Sequence, residues 1–487
     1  MINSNLINIK LIIRILGLLL ILEGFFMLAC LPFSYYFDEN DSWALIASGV
    51  FTSFIGTILW IFTRGVDKKQ IGKREGYIIV TFAWIIISIF GALPFVISKT
   101  IPNYTDAFFE TISGFTTTGA TILTDVEAMP KGLLFWRSMT HWIGGMGIIV
   151  LSLAILPILG IGGMQLFVAE VPGPVPDKLH PRITQTAKRL WGIYVLLTGL
   201  ETLLLMFGGM SLFDALCHAF GTMATGGFST QNNSIIDYSP YIQYIIILFM
   251  IIAGTNFTLH FFVLRGYFKK VWNNEEYRFY IYTLLIVSTV ITTALLVSYH
   301  TGFEKDFRDA LFQTVSIITT TGYVTADYLS WPFFVWLLIF MLMFTGGSAG
   351  STGGGVKMVR QLLLLKNSRL ELKRLLHPQA VIPVRLNGKT IPQNVIFNVL
   401  AFFLIYTLIF AFGSLFMSML GLDFETSIGS VAATLGNIGP GIGSVGPVSN
   451  YSEIPITGKW FLSFLMLLGR LELFTVLVLF SRVFWKK

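Results

Sequence analysis

DAFFETISGFTTTGAT, residues 106–121, is the stretch on which the fold turns. An acidic residue opens it, about ten mostly apolar residues follow, and it ends in Thr116, Thr117, Thr118 and Gly119. A bilayer span needs ~20 apolar residues, so this stretch is too short to cross. It stands between two segments that are long enough, 77–97 and 133–159. The design returns at Asp214 as DALCHAFGTMATGGFST and at Asp309 as DALFQTVSIITTTGYVT. A looser copy, SIGSVAATLGNIGPG, occupies 427–441. In the first three copies Asp stands thirteen positions before Gly: Asp106/Gly119, Asp214/Gly227 and Asp309/Gly322. In the fourth, Asp423 stands thirteen before Gly436, while the Gly-Asn-Ile-Gly context points to Gly439.

Composition places these half-length segments in a membrane. The 487 residues are 54% hydrophobic and 12% charged, with a mean hydropathy of +0.73. Soluble domains carry about 25% charged residues. The apolar runs are long and continuous, unlike the ~10-residue alternating strands of a β-barrel. The net charge of +7 is read as loop charge rather than as a nucleic-acid surface, because basic residues mark the cytoplasmic loops of membrane proteins. Cys30 and Cys217 have no metal-ligand spacing and make no disulfide framework. No H-E-x-x-H, G-x-S-x-G or paired catalytic aspartates occur, so an enzyme is not expected.

Charge then orders the chain. Residues 9–64 read as a helical hairpin, although Leu28-Ala29-Cys30 resembles a lipoprotein cleavage site. The run is long for a signal peptide, and a second span follows at 44–62. The hairpin loop is acidic (Asp38, Glu39, Asp41) and its exit basic (Arg64, Lys68, Lys69, Lys73, Arg74), which puts the N-terminus in the cytoplasm. Span, half-segment and span then repeat: 77–97 with 133–159, 190–207 with 241–262, 279–297 with 331–365, and 395–420 with 460–484. The linkers between units hold Lys178, Arg182, Lys188, Arg189, Lys269, Lys270, Arg278, Lys366, Arg369, Lys373, Arg374, Arg385 and Lys389. Loops after the half-segments hold Asp125, Glu127, Asp237, Asp327 and Glu453 instead. The expectation is an all-α polytopic membrane protein with ten transmembrane helices and both termini cytoplasmic. Four helix–pore-loop–helix units (71–180, 181–272, 273–385 and 386–487) surround a central pore, after an N-terminal hairpin (1–70).

Non-helical backbone cannot face lipid, where each unsatisfied N–H or C=O costs several kcal/mol; it survives buried in protein or lining a water-filled path. A short helix ending in Thr-Thr-Gly therefore fits a pore lining, where carbonyl oxygens replace the hydration shell of an ion. Gly permits the backbone angles that align successive carbonyls, and the negative end of the helix dipole faces the cation path. The competing reading takes Thr and Gly as small residues that ease helix packing. Three copies at one spacing weigh against it.

These residues carry a resemblance to the Trk/Ktr/HKT superfamily of potassium transporters, over nearly the whole chain. It is sharpest at TTTGAT (116–121), HWIGGMGIIVLSLAILPILGIGGMQL (141–166), GGSAGSTGGGVK (346–357), TLGNIGPG (434–441) and GRLELFTVLVLF (469–480). The additional N-terminal hairpin resembles the Trk type rather than the shorter Ktr type. The resemblance implies potassium uptake across the bacterial cytoplasmic (inner) membrane, a separate TrkA-like cytosolic nucleotide-binding regulatory subunit, and a homodimer. It implies a potassium filter of Thr117, Thr118 and Gly119, of Thr225, Gly226 and Gly227, of Thr320, Thr321 and Gly322, and of Asn437, Ile438 and Gly439. Gly119 stands where a sodium-selective plant-type filter has Ser, which implies potassium. A sodium- or proton-coupled carrier of another small solute is the alternative. The chain offers no paired midplane carboxylates for it.

FTGGSAGSTGGGVK (344–357) interrupts the last span of the third unit. It fails G-x-x-x-x-G-K-[ST], and Gly441-Ile-Gly443-Ser-Val-Gly446 matches a dinucleotide motif only by letters, because Pro447 follows instead of a helix. The resemblance implies a gate below the filter, formed by Gly346, Gly347, Gly350, Ser351, Thr352, Gly353, Gly354 and Gly355. A glycine kink for close packing is the alternative. Arg470 and Glu472 are intramembrane charges and hence functional candidates. Arg470 either projects under the filter as an electrostatic barrier or pairs with a carboxylate such as Glu110 or Glu201. His141, Asn256 and His260 read as interfacial or helix–helix hydrogen-bonding residues.

Overall fold

A computed structural model describes residues 7–65, 72–145, 147, 183–299, 302–380 and 382–486. Lys68, Lys69, Lys178, Arg182 and most of the 141–166 motif lie outside the described residues.

The chain is mostly helical, and among the described residues six helices are long and apolar enough to cross a membrane, or up to eight if each of two bent pairs is one span. The first two, Ile9–Leu28 and Ser42–Phe62, form the expected hairpin. Small residues face each other along its seam: a Cβ on Gly24 would lie 2.5 Å from the Gly49 carbonyl oxygen, and one on Gly56 would lie 2.6 Å from that of Gly17. Backbones that touch in this way gain dispersion contacts that lipid cannot offer. The acidic hairpin loop has a structural task. Asp41 accepts the Leu133 N–H at 2.9 Å and Glu39 accepts that of Lys131, so two carboxylates cap the start of helix Lys131–Gly145.

Short helices stand between the long ones. Lys73–Gly91 precedes Tyr104–Phe115, Ile183–Phe207 precedes Leu212–Ala224, Glu275–Ser298 precedes Phe303–Ile318, and Gln393–Met419 precedes Phe424–Leu435. Side-chain caps start three of the four short helices, from Asn103, Ser211 and Asp423. The repeated aspartates do different work: Asp106 pairs with Lys459 at 2.6 Å, while Asp214 accepts from Thr230 Oγ1 at 2.7 Å.

Two of the expected continuous spans are broken. The span expected at 241–262 is Pro240–Ala253 followed by Phe257–Leu264, bent by 104°. The one expected at 460–484 is Ile456–Arg470 followed by Phe474–Phe480, bent by 109°. At the first break Asn256 caps the new helix through Thr258 N, and the freed carbonyls find partners in the glycine loop. At the second, Glu472 and Leu473 take left-handed φ of 53° and 57°. Leu473 N–H reaches back to Leu468 O at 2.9 Å, which closes the helix end. The segment expected at 331–365 divides into Phe333–Leu342 and Met358–Leu376 around the same loop. Beyond it, strands Arg385–Leu386 and Lys389–Thr390 form a hairpin whose turn, Asn387-Gly388, has φ of 50° and 75°, the turn type that Asn-Gly favours.

Candidate functional site

Each short helix ends in the same backbone signature. Thr117, Thr225, Thr320 and Asn437 have φ of 53°, 55°, 61° and 54°, and two residues later Gly119, Gly227, Gly322 and Gly439 have φ of 80°, 80°, 82° and 96°. The residue between them bonds back five positions into its helix: Thr118 N to Ser113 O at 2.9 Å, Gly226 N to Gly221 O, Thr321 N to Ser316 O and Ile438 N to Ala433 O, each at 2.8 Å. This is a Schellman-type end built without glycine at its left-handed position. Three Thr and one Asn held at positive φ cost on the order of 1–3 kcal/mol each, strain of the kind that concentrates at functional sites. The N–H groups are thereby turned into the short helices.

The four ends close into a ring. A Cβ on Gly119 would lie 2.1 Å from the Gly226 carbonyl oxygen. One on Gly227 would lie 2.1 Å from that of Thr321, and one on Gly322 would lie 2.0 Å from that of Ile438. One on Gly439 would lie 2.7 Å from that of Thr118. Every glycine thus leaves room for the carbonyl that precedes the next unit's glycine, and the fourth returns to the first. The shared signature and the ring both run through Gly439. Gly436, with φ of −78°, is only the C-cap of Phe424–Leu435. Above the ring, all four of these glycines line one vestibule of about 220 Å³. Among the described residues no three His, Cys, Asp or Glu side chains cluster as metal ligands.

Buried side chains hold the ring from behind, and the sequence reading missed most of them. Arg137 donates to Glu110 at 2.7 Å and to Ser229 O at 3.2 Å, and its guanidinium lies 3.5 Å from the Phe228 ring centroid. Glu110 also accepts from Thr121 Oγ1 and Ile122 N, each at 2.9 Å. One ion pair therefore joins the first short helix, the segment that follows Gly119 and the second unit. A charge between Trp136 and Ser138 in an apolar span was the available signal. Asn437 Nδ2 bridges Thr118 Oγ1 and Met466 O, each at 2.9 Å, and Tyr451 OH donates to Gly439 O at 2.8 Å. His141 is fully buried, with Nδ1 2.8 Å from Gly114 O and its ring behind Gly226. It is a helix–helix hydrogen-bonding residue rather than an interfacial one.

The glycine loop lies directly beneath this ring and has two sides. Gly353, Gly354 and Gly355 face the ends of the third and fourth short helices: a Cβ on Gly353 would lie 2.7 Å from Thr319 O, and one on Gly354 would lie 2.9 Å from Gly436 O. Gly354 N donates to Thr320 Oγ1 at 2.7 Å. The other side fits the first break. Ser348 N donates to Gly254 O at 2.8 Å, Thr352 Oγ1 to Ala253 O at 3.2 Å, and Gly350 O accepts from Phe257 N at 3.0 Å. Gly347 lies against Gly254, Gly350 against Asn256 and Gly346 against Gly354, while Ser351 N closes a turn onto Ser348 O. Broken helix and loop thus satisfy each other's backbone, the condition for irregular structure at membrane depth.

Arg470 joins loop to ring. It donates to Thr117 Oγ1 at 3.1 Å, to Thr352 O at 2.6 Å, and to the carbonyls of Gly144 and Gly145. Glu110 is taken by Arg137, and Glu472 pairs with Arg360. Arg470 therefore lies between the glycine loop and the end of the first short helix.

A family profile described as TrkH, cation transport protein, matches residues 42–487. The chain is 44% identical over 491 aligned residues to "Trk system potassium uptake protein TrkH" of Escherichia coli (strain K12), covering 99% of this chain and 100% of the relative. It is 40% identical to the protein of that name from Halomonas elongata, covering 99% and 100%. The crystal structure of the potassium transporter TrkH from Vibrio parahaemolyticus superposes with a TM-score of 0.87 at 39% identity, covering 98% of this chain and 100% of that one. The chain belongs to the TrkH family of cation transport proteins.

Proposed function

We propose that the chain is the membrane subunit of a potassium uptake system and that potassium crosses through the ring at Gly119, Gly227, Gly322 and Gly439. The observation that carries this reading is the closure of the ring, glycine against neighbouring carbonyl, through all four units. Carbonyls in such a ring take the place of the waters that an ion loses on entry. The short helices end at the ring, so their negative dipole ends favour a cation there. Names of the relatives, potassium uptake proteins of the Trk system, support the same cargo. On this reading the fold has ten spans, four repeats around the path and the hairpin 1–70 outside it, with both termini cytoplasmic in a bacterial inner membrane. The repeats are 71–180, 181–272, 273–385 and 386–487.

The loop 346–355 is the gate in this proposal and Arg470 its electrostatic part, since both lie where an ion leaving the ring must pass. Regulation comes from a TrkA-like cytosolic nucleotide-binding subunit acting on a homodimer. The basic helix end of Met358–Leu376 and the hairpin after it are the lever available to such a partner, because that helix begins where the loop ends. The test is flux in liposomes containing the purified chain, with potassium, sodium and a small organic solute compared at equal gradients. Potassium uptake well above sodium and no solute uptake is expected. Equal uptake of all three, or solute-driven uptake alone, would overturn the proposal.

A further inference from the structure

A surface groove away from the ring combines positive charge with an apolar wall. It lies between helix Ile183–Phe207 and the second limb of the bent span, Phe257–Leu264, and encloses about 330 Å³. Arg189 and Arg265 come from the two sides and share one ring: their guanidiniums lie 5.4 Å and 4.7 Å from the Phe261 centroid. Neither pairs with a carboxylate among the described residues. Gly192 lines the groove, and a Cβ added there meets nothing within 4 Å. Leu196 and Leu264 carry the wall outward, 57% and 60% exposed.

The surroundings mark a membrane boundary. Gly266, at φ of 76°, ends the limb, and Phe268–Trp272 follows with Lys269 and Lys270 between an exposed Phe and an exposed Trp. Basic and aromatic residues mixed at a helix end sit at the headgroup level on the cytoplasmic face. Two guanidiniums on one ring repel each other unless an anion lies between them, and basic pockets between membrane helices on that face hold anionic headgroups. A free anion would leave the apolar wall unused, and an uncharged lipid would leave the arginines uncompensated.

We infer that this groove binds one anionic phospholipid, its phosphodiester held between Arg189 and Arg265 and an acyl chain lying over Gly192 and along Leu196. The site is independent of the ion path and binds the lipid whatever cation the ring conducts.

The test is native mass spectrometry of the full chain in detergent, titrated with phosphatidylglycerol and, separately, with phosphatidylcholine of the same acyl chains. Two arginines at the usual worth of a basic side chain at an anionic surface predict a preference of roughly thirtyfold for phosphatidylglycerol. Arg189→Gln with Arg265→Gln should abolish that preference. Gly192→Trp fills the groove from open space, so it should weaken phosphatidylglycerol binding with Tm unchanged. If the double variant fails to fold, the Gly192→Trp result decides. Equal affinity for the two lipids, a preference that survives the double variant, or wild-type binding in Gly192→Trp overturns the inference. Displacement of phosphatidylglycerol by equimolar inorganic phosphate would also overturn it, by making the groove a free-anion site.

Discussion

Replacing Gly119 with serine tests the ring at its tightest kind of contact. The new Cβ would start 2.1 Å from the Gly226 carbonyl oxygen and 3.2 Å from its carbon. Nonbonded carbons settle about 3.5–4.0 Å apart and oxygens only slightly nearer, so the Gly226 carbonyl must retreat by roughly 1 Å. An L-residue in the left-handed region adds about 1–2 kcal/mol of local strain at φ of 80°. A carbonyl moved that far no longer meets an ion held by the other three units. Hydrogen bonds to charged groups contribute about 1.5–3 kcal/mol net, and losing a contact of that class is roughly a ten- to hundredfold change. The preference for potassium over sodium should fall by about that factor, measured as the ratio of uptake rates into liposomes under equal gradients. Gly439→Ser is the internal comparison. Its closest carbonyl oxygen would be 2.7 Å away, so the steric displacement and the loss of preference should both be smaller. A Gly119→Ser protein that inserts normally and keeps the wild-type ratio would refute the filter assignment.

Gly436→Ala should retain more of the potassium preference than Gly439→Ala, because Gly436 has right-handed helical angles and Gly439 sits at φ of 96°; the same uptake ratio checks both. Deleting residues 350–353, or substituting Arg470→Ala, should raise potassium flux without the cytosolic partner. The two changes together should be less than additive, since they clear one path, and unchanged flux in both would make the loop a packing device. Arg137→Leu leaves Glu110 a buried, unpaired charge and should cost about 3–5 kcal/mol, read as a fall in Tm in detergent. Glu110→Gln with Arg137→Leu should recover part of that loss, since the stranded charge is removed.

Hydropathy, charge and a repeated thirteen-residue spacing were enough to determine a helical membrane protein, its hairpin, its short helices and the Thr/Gly stretches at their ends. Those features are local: a helix is long enough to span or it is not, and Thr117 and Gly119 sit two residues apart in every conformation. Only the tertiary structure decided what those ends meet. Spacing pointed to Gly436, context and the family resemblance pointed to Gly439, and it is Gly439 that lies against a carbonyl of Thr118, from a distant part of the chain. Asn437 and Thr118, 319 positions apart, hydrogen-bond across the same junction. The breaks after Ala253 and Arg470 were hidden because continuous apolar sequence reads as continuous helix. A helix breaks at membrane depth when other parts of the protein take its freed backbone groups. Here Ser348 and Thr352 take the carbonyls of Gly254 and Ala253, and no composition of 241–262 records that. Arg137 was overlooked and Arg470 was left with two readings for the same reason. A buried charge announces that it needs a partner, and the partner is chosen by the fold.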